Sequence, residues 1–108
     1  MIRGTTPTLT VKIPVVPSQL DAFYMSFYQE VYENYRYVNR RYVEKDLSDC
    51  TFNDDDQTVS VTLTQSDTLT FNPEKPVLYQ VRFRVGEAAY ATTMASFAIG
   101  DILKTGEI

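Results

Sequence analysis

The segment from Ala22 to Tyr42 holds the residue types best suited to binding, because it contains six of the chain's eight tyrosines together with several arginines. Tyrosine and arginine are enriched at protein interfaces, and they dominate the energetics of many of them. We therefore predict an interface with a protein partner, which includes other copies of the chain. Packing within the fold and stacking on glycan rings are the alternatives. The candidate interface or ligand residues are Tyr28, Tyr32, Tyr35, Tyr37, Arg40, Arg41 and Tyr42.

The cations of this segment suggest a second chemistry, since they alternate with aromatic rings as in platforms that bind single-stranded nucleic acid. These cations are Arg36, Arg40, Arg41 and Lys45. The chain nevertheless has a net charge of −4, whereas phosphate binding requires a basic footprint. We predict instead that the cations protect the edge of a solvated hairpin, and that nucleic acid is not a partner.

A run of acidic residues, Asp54-Asp55-Asp56, lies beside Asn53 and near Asp49, and such oxygen atoms are the ligands that calcium prefers. Calcium loops space their ligands at alternate positions and usually include a glycine, and this run does neither. We therefore predict a solvated hairpin tip, without a metal ion or any other cofactor.

Catalytic chemistry is narrowly limited, because the chain has no histidine and only one cysteine, Cys50. This composition excludes His/Cys zinc sites and the Ser-His-Asp and Cys-His nucleophile systems. Cys50 follows Asp49, whose charge raises a thiol pKa, so we predict an inert, partly buried thiol. Carboxylates such as Glu44 and Asp54 can in principle hydrolyse glycosides, but no acidic pair here lies in a recognisable motif. We predict that the protein is not an enzyme.

The elements that must position these residues are strands, because apolar and polar residues alternate along most of the chain. The clearest strand covers 77–85, and Gly86-Glu87 after it predicts a type II′ turn into one long final strand with Phe97 and Ile99 in the core. A short helical turn near Gln65–Leu69, capped by Thr64, is the one exception. The inward residues of the clearest strand are Val77, Tyr79, Val81, Phe83 and Val85.

The tyrosine-rich segment itself fits two periods. Apolar or aromatic residues recur every four positions from Phe23 through Val31 to Tyr35, and tyrosines do so from Tyr24 to Tyr32, which is helical spacing. Phe23, Met25 and Phe27 also share one face of a strand. The aromatic content favours the strand, because rings pack well on a pleated surface. With a turn at Glu33-Asn34, the segment becomes a tyrosine-rich hairpin over about 22–45, and Leu20–Tyr32 is the part for which a helix remains open.

Together these elements predict an all-β fold, an antiparallel, immunoglobulin-like β-sandwich of about seven strands in a single domain covering 1–108. The length is ordinary for one domain, and no disulfide can form within the chain. The start of the chain lacks the apolar region of a signal peptide, and no apolar run reaches the roughly 20 residues of a membrane helix. We therefore expect a soluble protein that is made in the cytoplasm and has no membrane partner.

Three stretches resemble a family of small, mostly uncharacterised proteins encoded in phage and prophage genomes of gut Firmicutes. They are the opening "MIRGTTPT", the block "VTLTQSDTLTF" and the closing "ILKTGE", and the similarity covers most of the chain. The resemblance implies a phage structural or tail-associated protein, located in the host cytoplasm when made and then in the virion, with no catalytic residues. It also implies a strand at Leu20–Gln29. This chain is longer than the family between Phe27 and Lys45, so the tyrosine-rich hairpin is an extension.

Overall fold

The chain folds into eight strands, one short helix and two 3₁₀ turns; this computed structural model describes residues 1–33 and 36–108, without the side chains of 31–33 and 36–40. The predicted turn residue Asn34 therefore lies outside the described residues. The helix α1 covers Gln65–Leu69. The strands are β1 Thr8–Lys12, β2 Ala22–Glu33, β3 Arg36–Asp46, β4 Cys50–Asn53, β5 Thr58–Thr62, β6 Val77–Val85, β7 Ala88–Ala91 and β8 Ala95–Phe97.

The strands form two sheets whose paired strands are all antiparallel, which confirms the predicted all-β sandwich. The smaller sheet has the order β1-β5-β4, and the larger has the order β3-β2-β6-β7, with β8 also paired to β6. In the larger sheet β2 lies between β3 and β6, so the second and third strands of the chain share a sheet. In a constant-type immunoglobulin domain the second and third strands lie in different sheets.

The first part of the tyrosine-rich segment, residues 22–33, is the strand β2, as the period-two pattern predicted. β2 pairs with β3 on one side and with β6 on the other, so it lies inside the larger sheet. Phe23, Met25 and Phe27 are all buried, and this confirms them as the anchors of the hairpin. The pairing with β6 ends at Tyr28, opposite Leu78, and the rest of the hairpin extends past that strand.

The predicted long final strand is wrong in one respect, because it is broken into β7 and β8. Arg82 lies opposite Ala91 and Tyr79 lies opposite Ala95, so the edge contains one residue more than β6 across the same interval. The break occurs at Thr92, whose hydroxyl oxygen accepts the Val81 amide at 3.1 Å. A backbone acceptor is thereby replaced by a side chain, and the ladder changes register as in a β-bulge.

The core lies between the sheets and follows the predicted alternation. Val77, Val81 and Phe83 of β6 are buried, while Arg82 and Arg84 point to solvent. Ile99 is buried and Phe97 packs against the core, as predicted for the end of the chain.

The helix α1 begins with a capping box, which confirms the predicted helical turn. The Asp67 amide donates to the Thr64 hydroxyl at 3.1 Å, and the Thr64 amide donates to the Asp67 carboxylate at 2.8 Å. The same carboxylate lies 2.7 Å from the Lys45 ammonium of β3. Burial raises the pKa of Asp67, but hydrogen bonds from Lys45 and Thr64 outweigh that effect, and the net pKa is lowered.

We predict that Asp67→Asn lowers the free energy of unfolding by about 2 kcal/mol at pH 7, because it leaves the mostly buried Lys45 ammonium without its counter-ion. A carboxylate with a lowered folded pKa stabilises the fold above its unfolded pKa, and this contribution disappears as pH falls through the folded pKa. The difference between the two proteins should therefore shrink on acidification. Urea unfolding of both proteins at pH 7 and at about pH 2.5 measures this difference in the free energy of unfolding. An equal difference at both pH values would contradict a stabilising ion pair between Asp67 and Lys45.

Candidate binding surface

The outward face of the larger sheet carries a groove of about 630 Å³, which we call the tyrosine groove. It exists because the alternation that buries Phe23, Met25 and Phe27 turns the intervening residues of β2 to the other face. Neighbouring strands β3 and β6 contribute mainly residues of the same phase, and Tyr79 of β6, the register partner of the buried Phe27, is the one of opposite phase. The groove is lined by Tyr24, Ser26, Tyr28, Tyr42, Glu44, Leu78, Tyr79, Gln80, Arg82 and Met94.

The register of the sheet places apolar side chains at one end of the groove. Tyr28 of β2 lies opposite Tyr42 of β3 on one side and opposite Leu78 of β6 on the other. Tyr42 is 53% exposed and Met94 is 68% exposed. Exposed aromatic and aliphatic side chains that share one groove make it a candidate contact surface.

Polar groups line the middle and the far end of the groove. Ser26 lies opposite Glu44 and Gln80, and Tyr24 lies opposite Arg82. The Tyr42 hydroxyl donates to Glu44 Oε1 at 2.9 Å and lies 3.1 Å from the Ser26 hydroxyl. These contacts orient the Tyr42 ring, so the groove presents a positioned aromatic surface beside groups of both charges.

The structure brings together only some of the predicted site residues. Tyr28 and Tyr42 face each other in the groove. The backbones of Tyr32 and Tyr37 are register partners, but their side chains, like that of Arg40, lie outside the described part of the structure, as does all of Tyr35.

Arg41 is turned away from the groove. It is the register partner of the buried Gln29, so it lies on the inner face of the hairpin, and its Nη1 donates to the Thr70 carbonyl at 2.9 Å. Lys45 has the same phase and contacts Asp67. Two of the four cations that were predicted to protect the edge of a solvated hairpin thus hold the hairpin against the α1 region instead.

Most of the groove residues that sequence reasoning missed as binding candidates are on β6 and in the loop after β7: Leu78, Tyr79, Gln80, Arg82 and Met94. Ser26 of β2 and Glu44 of β3 were missed as well. The pattern along β6 identifies its outward residues, but it does not reveal which strand lies beside it. Tyr24 was also missed as a candidate, although its position on the amphipathic face of β2 was a usable signal.

The acidic run forms the tip between β4 and β5, where its side chains make local hydrogen bonds. Asn53 Oδ1 accepts the Asp56 amide at 3.1 Å, and Asp54 Oδ1 accepts the Ser18 amide at 3.0 Å. Within the described residues, no three His, Cys, Asp or Glu side chains converge on a point that could hold a metal ion.

Cys50 is partly buried at the start of β4, as predicted, and its thiol donates to the Asp46 carbonyl at 3.1 Å. Burial, and after it the Asp49 and Asp46 carboxylates, raise the pKa of the Cys50 thiol to about 11. Asp49 raises the pKa of Cys50 as predicted, but desolvation of the thiol raises that pKa more.

We predict slow alkylation of Cys50, because only about one thiol in a thousand is ionised at pH 8 when the pKa is near 11. The rate of reaction with iodoacetamide should still be rising between pH 9 and pH 10. The urea-unfolded protein is the control, and its thiol should react on the order of a hundredfold faster at pH 8. Equal rates for the folded and unfolded protein would contradict the raised pKa.

No family model matches the sequence, and no curated protein shows significant similarity to it. Within the described residues, no helix has the length and apolar character needed to cross a bilayer. The chemistry of the tyrosine groove is therefore the main structural guide to function.

Proposed function

We propose that this protein is a non-enzymatic structural or tail-associated component of a phage or prophage particle, acting through protein–protein contacts. The structural support is the tyrosine groove, and the support for the phage context is the resemblance of the three sequence stretches. The proposal that it acts without catalysis rests on the lack of histidine and on the raised pKa of the Cys50 thiol.

The observation that carries the contact role is the exposure of Tyr42, Leu78 and Met94 on one sheet face. Interface centres are typically rich in tyrosine, methionine and arginine, and polar groups surround them. The groove has this arrangement, with Glu44, Gln80 and Arg82 beside its apolar end. Tyr32, Tyr35 and Tyr37 stay candidate contact residues on the sequence alone.

Incorporation into particles tests the proposal. Particles are purified from a host that carries the gene, and the protein in them is quantified by mass spectrometry. We expect the wild-type protein to be present, and the double variant Tyr42→Ser with Leu78→Ser to be incorporated at least about tenfold less, because two large apolar contacts are lost. Absence of the wild-type protein from the particles would overturn the proposal.

A matched control comes from the opposite sheet. Phe52 of β4 is 43% exposed, which is close to the 53% of Tyr42. Phe52→Ser therefore removes a comparably exposed ring outside the groove, and it should leave incorporation unchanged. Thermal unfolding of each variant shows whether the fold is retained.

Glycan binding is a second candidate, and the combination of rings and polar groups in the groove favours it. Sugar recognition needs an aromatic surface with hydrogen-bonding groups around it, and Tyr24, Tyr42, Glu44 and Gln80 provide both within one cleft. A glycan array read with wild-type protein and with Tyr28→Ala tests this. Binding that the substitution abolishes supports the candidate, and no binding by the intact protein excludes it.

A further inference from the structure

The edge strand β7 lacks the charges and prolines that commonly prevent strands from pairing with other chains. β7 pairs with β6 on one side only, and all four of its residues are exposed. The chain from Ala88 to Gly100 contains no charged residue and no proline, and it is the longest uncharged run in the sequence. Natural edge strands are generally protected by charges or prolines, so an uncharged edge of small residues requires an explanation.

The other three sheet edges are protected. β1 contains Lys12 and lies between Pro7 and Pro14, and β4 leads directly into the acidic tip. β3 carries charges of both signs along much of its length. Self-pairing at those edges would bring charges or prolines against each other, whereas self-pairing at β7 brings none.

The hydrogen-bonding phase of β7 shows which backbone groups face outward. A two-residue turn makes Val85 and Ala88 a hydrogen-bonded pair, and the Thr92 amide donates to the Val81 carbonyl at 2.9 Å, which fits the same alternation. The amide and carbonyl groups of Ala89 and Ala91 lie between those pairs, so they point away from β6 toward the open edge.

We propose that β7 pairs antiparallel with β7 of a second copy of this chain, with Ala89 opposite Ala91 of the other copy. This register satisfies all the outward groups of Ala89 and Ala91 through four hydrogen bonds, and it is symmetric about a twofold axis. The larger sheets of the two copies then become one continuous sheet.

The same register places Tyr90 opposite Tyr90 of the second copy, as a closely spaced pair between the hydrogen-bonded ones. In each copy Tyr90 already stacks on Phe83, with ring centroids 5.0 Å apart and planes at 18°. Tyr90 is 45% exposed, so the pairing covers ring surface as well as backbone. Aromatic cross-strand pairs contribute to sheet stability, and they favour a second copy over an unrelated strand.

This contact is separate from the tyrosine groove, which lies on a face and not on an edge, and it does not depend on the proposed function. Dimerisation without incorporation into particles would support the edge contact and overturn the proposed function. Incorporation of a strictly monomeric protein into particles would support the proposed function and overturn the edge contact.

Sedimentation equilibrium of the full chain over about 10 μM to 1 mM tests the proposal. We expect the wild-type protein to dimerise in this range. Ala91→Pro removes an outward amide without touching the β6 ladder, since proline is tolerated where the N–H faces solvent. It should weaken dimerisation at least about tenfold. Ala91→Ser is the matched control, and it should dimerise like the wild type because it keeps the amide.

A second variant keeps the test decisive if Ala91→Pro does not fold. The double variant Ala89→Glu with Ala91→Glu places like charges opposite each other in the dimer, while each carboxylate faces Arg84 or Arg82 within its own sheet. It should fold and remain monomeric. A wild-type protein that stays monomeric at 1 mM, or a glutamate variant that dimerises as the wild type does, would overturn the proposal.

Discussion

Replacing Phe27 with alanine is expected to lower the free energy of unfolding by about 3–5 kcal/mol, the usual cost of removing a buried phenylalanine ring. Phe27 is fully buried in the central strand β2. Its ring lies 6.3 Å from that of Tyr79 and 6.4 Å from that of Phe97, so the ring joins three strands of the larger sheet. The substitution leaves a cavity that strands paired on both sides cannot easily close.

Urea unfolding followed by circular dichroism measures this effect. Phe52→Ala is the matched control, because it removes the same ring from a position that is 43% exposed, and it should cost less than about 1 kcal/mol. Similar losses for the two substitutions would contradict the central position of Phe27 in the core.

The second large effect is expected for Gln29→Leu, which should lower the free energy of unfolding by about 3 kcal/mol. Gln29 is 1% exposed, and its amide nitrogen donates to the Asn72 and Lys75 carbonyls at 2.6 Å and 2.9 Å. Its carbonyl oxygen accepts the Asn72 amide at 2.6 Å. Leucine has a similar size, but it leaves the Asn72 amide and the Lys75 carbonyl without the Gln29 side chain, and the Asn72 carbonyl keeps only the Lys75 amide at 3.5 Å.

The same substitution at Gln80 provides the control. Gln80 donates a single hydrogen bond, to the Thr92 carbonyl at 2.8 Å, on the outer side of the sheet where water can replace it. Gln80→Leu should therefore cost less than about 1 kcal/mol. If Gln29→Leu lowered the free energy of unfolding as little as Gln80→Leu does, the hydrogen bonds from Gln29 would not be holding the 72–75 loop in place.

Both residues show how far sequence reasoning reached. The burial of Phe27 follows from the alternation along Phe23, Met25 and Phe27, because a strand sends every second side chain to the same face. The burial of Gln29 does not follow from that alternation. A glutamine with the same phase as three apolar anchors is buried only because a loop from 43 residues further along the chain covers it.

The same limit applies to the site. The sequence identified Tyr28 and Tyr42 as candidates, and the register of β2 and β3 brings them together. It grouped Arg41 with them, but Arg41 opposes the buried Gln29 and bonds to Thr70. One residue along a strand changes the face on which a side chain lies, and composition alone carries no such information.

The sequence by itself determined that most of the chain forms strands, which face of β6 is buried, the capped helical turn and the exclusion of histidine-based chemistry, since all of these depend on residue types and short-range periods. For β2 it favoured a strand over a helix without deciding between them. Only the tertiary structure decided that β6 lies beside β2, about fifty positions earlier in the chain, and thereby created the tyrosine groove. It also decided that Thr92 divides the last strand, and that the uncharged β7 forms an open edge. The reason is that pairing partners are selected by packing across the whole fold, which no local pattern encodes.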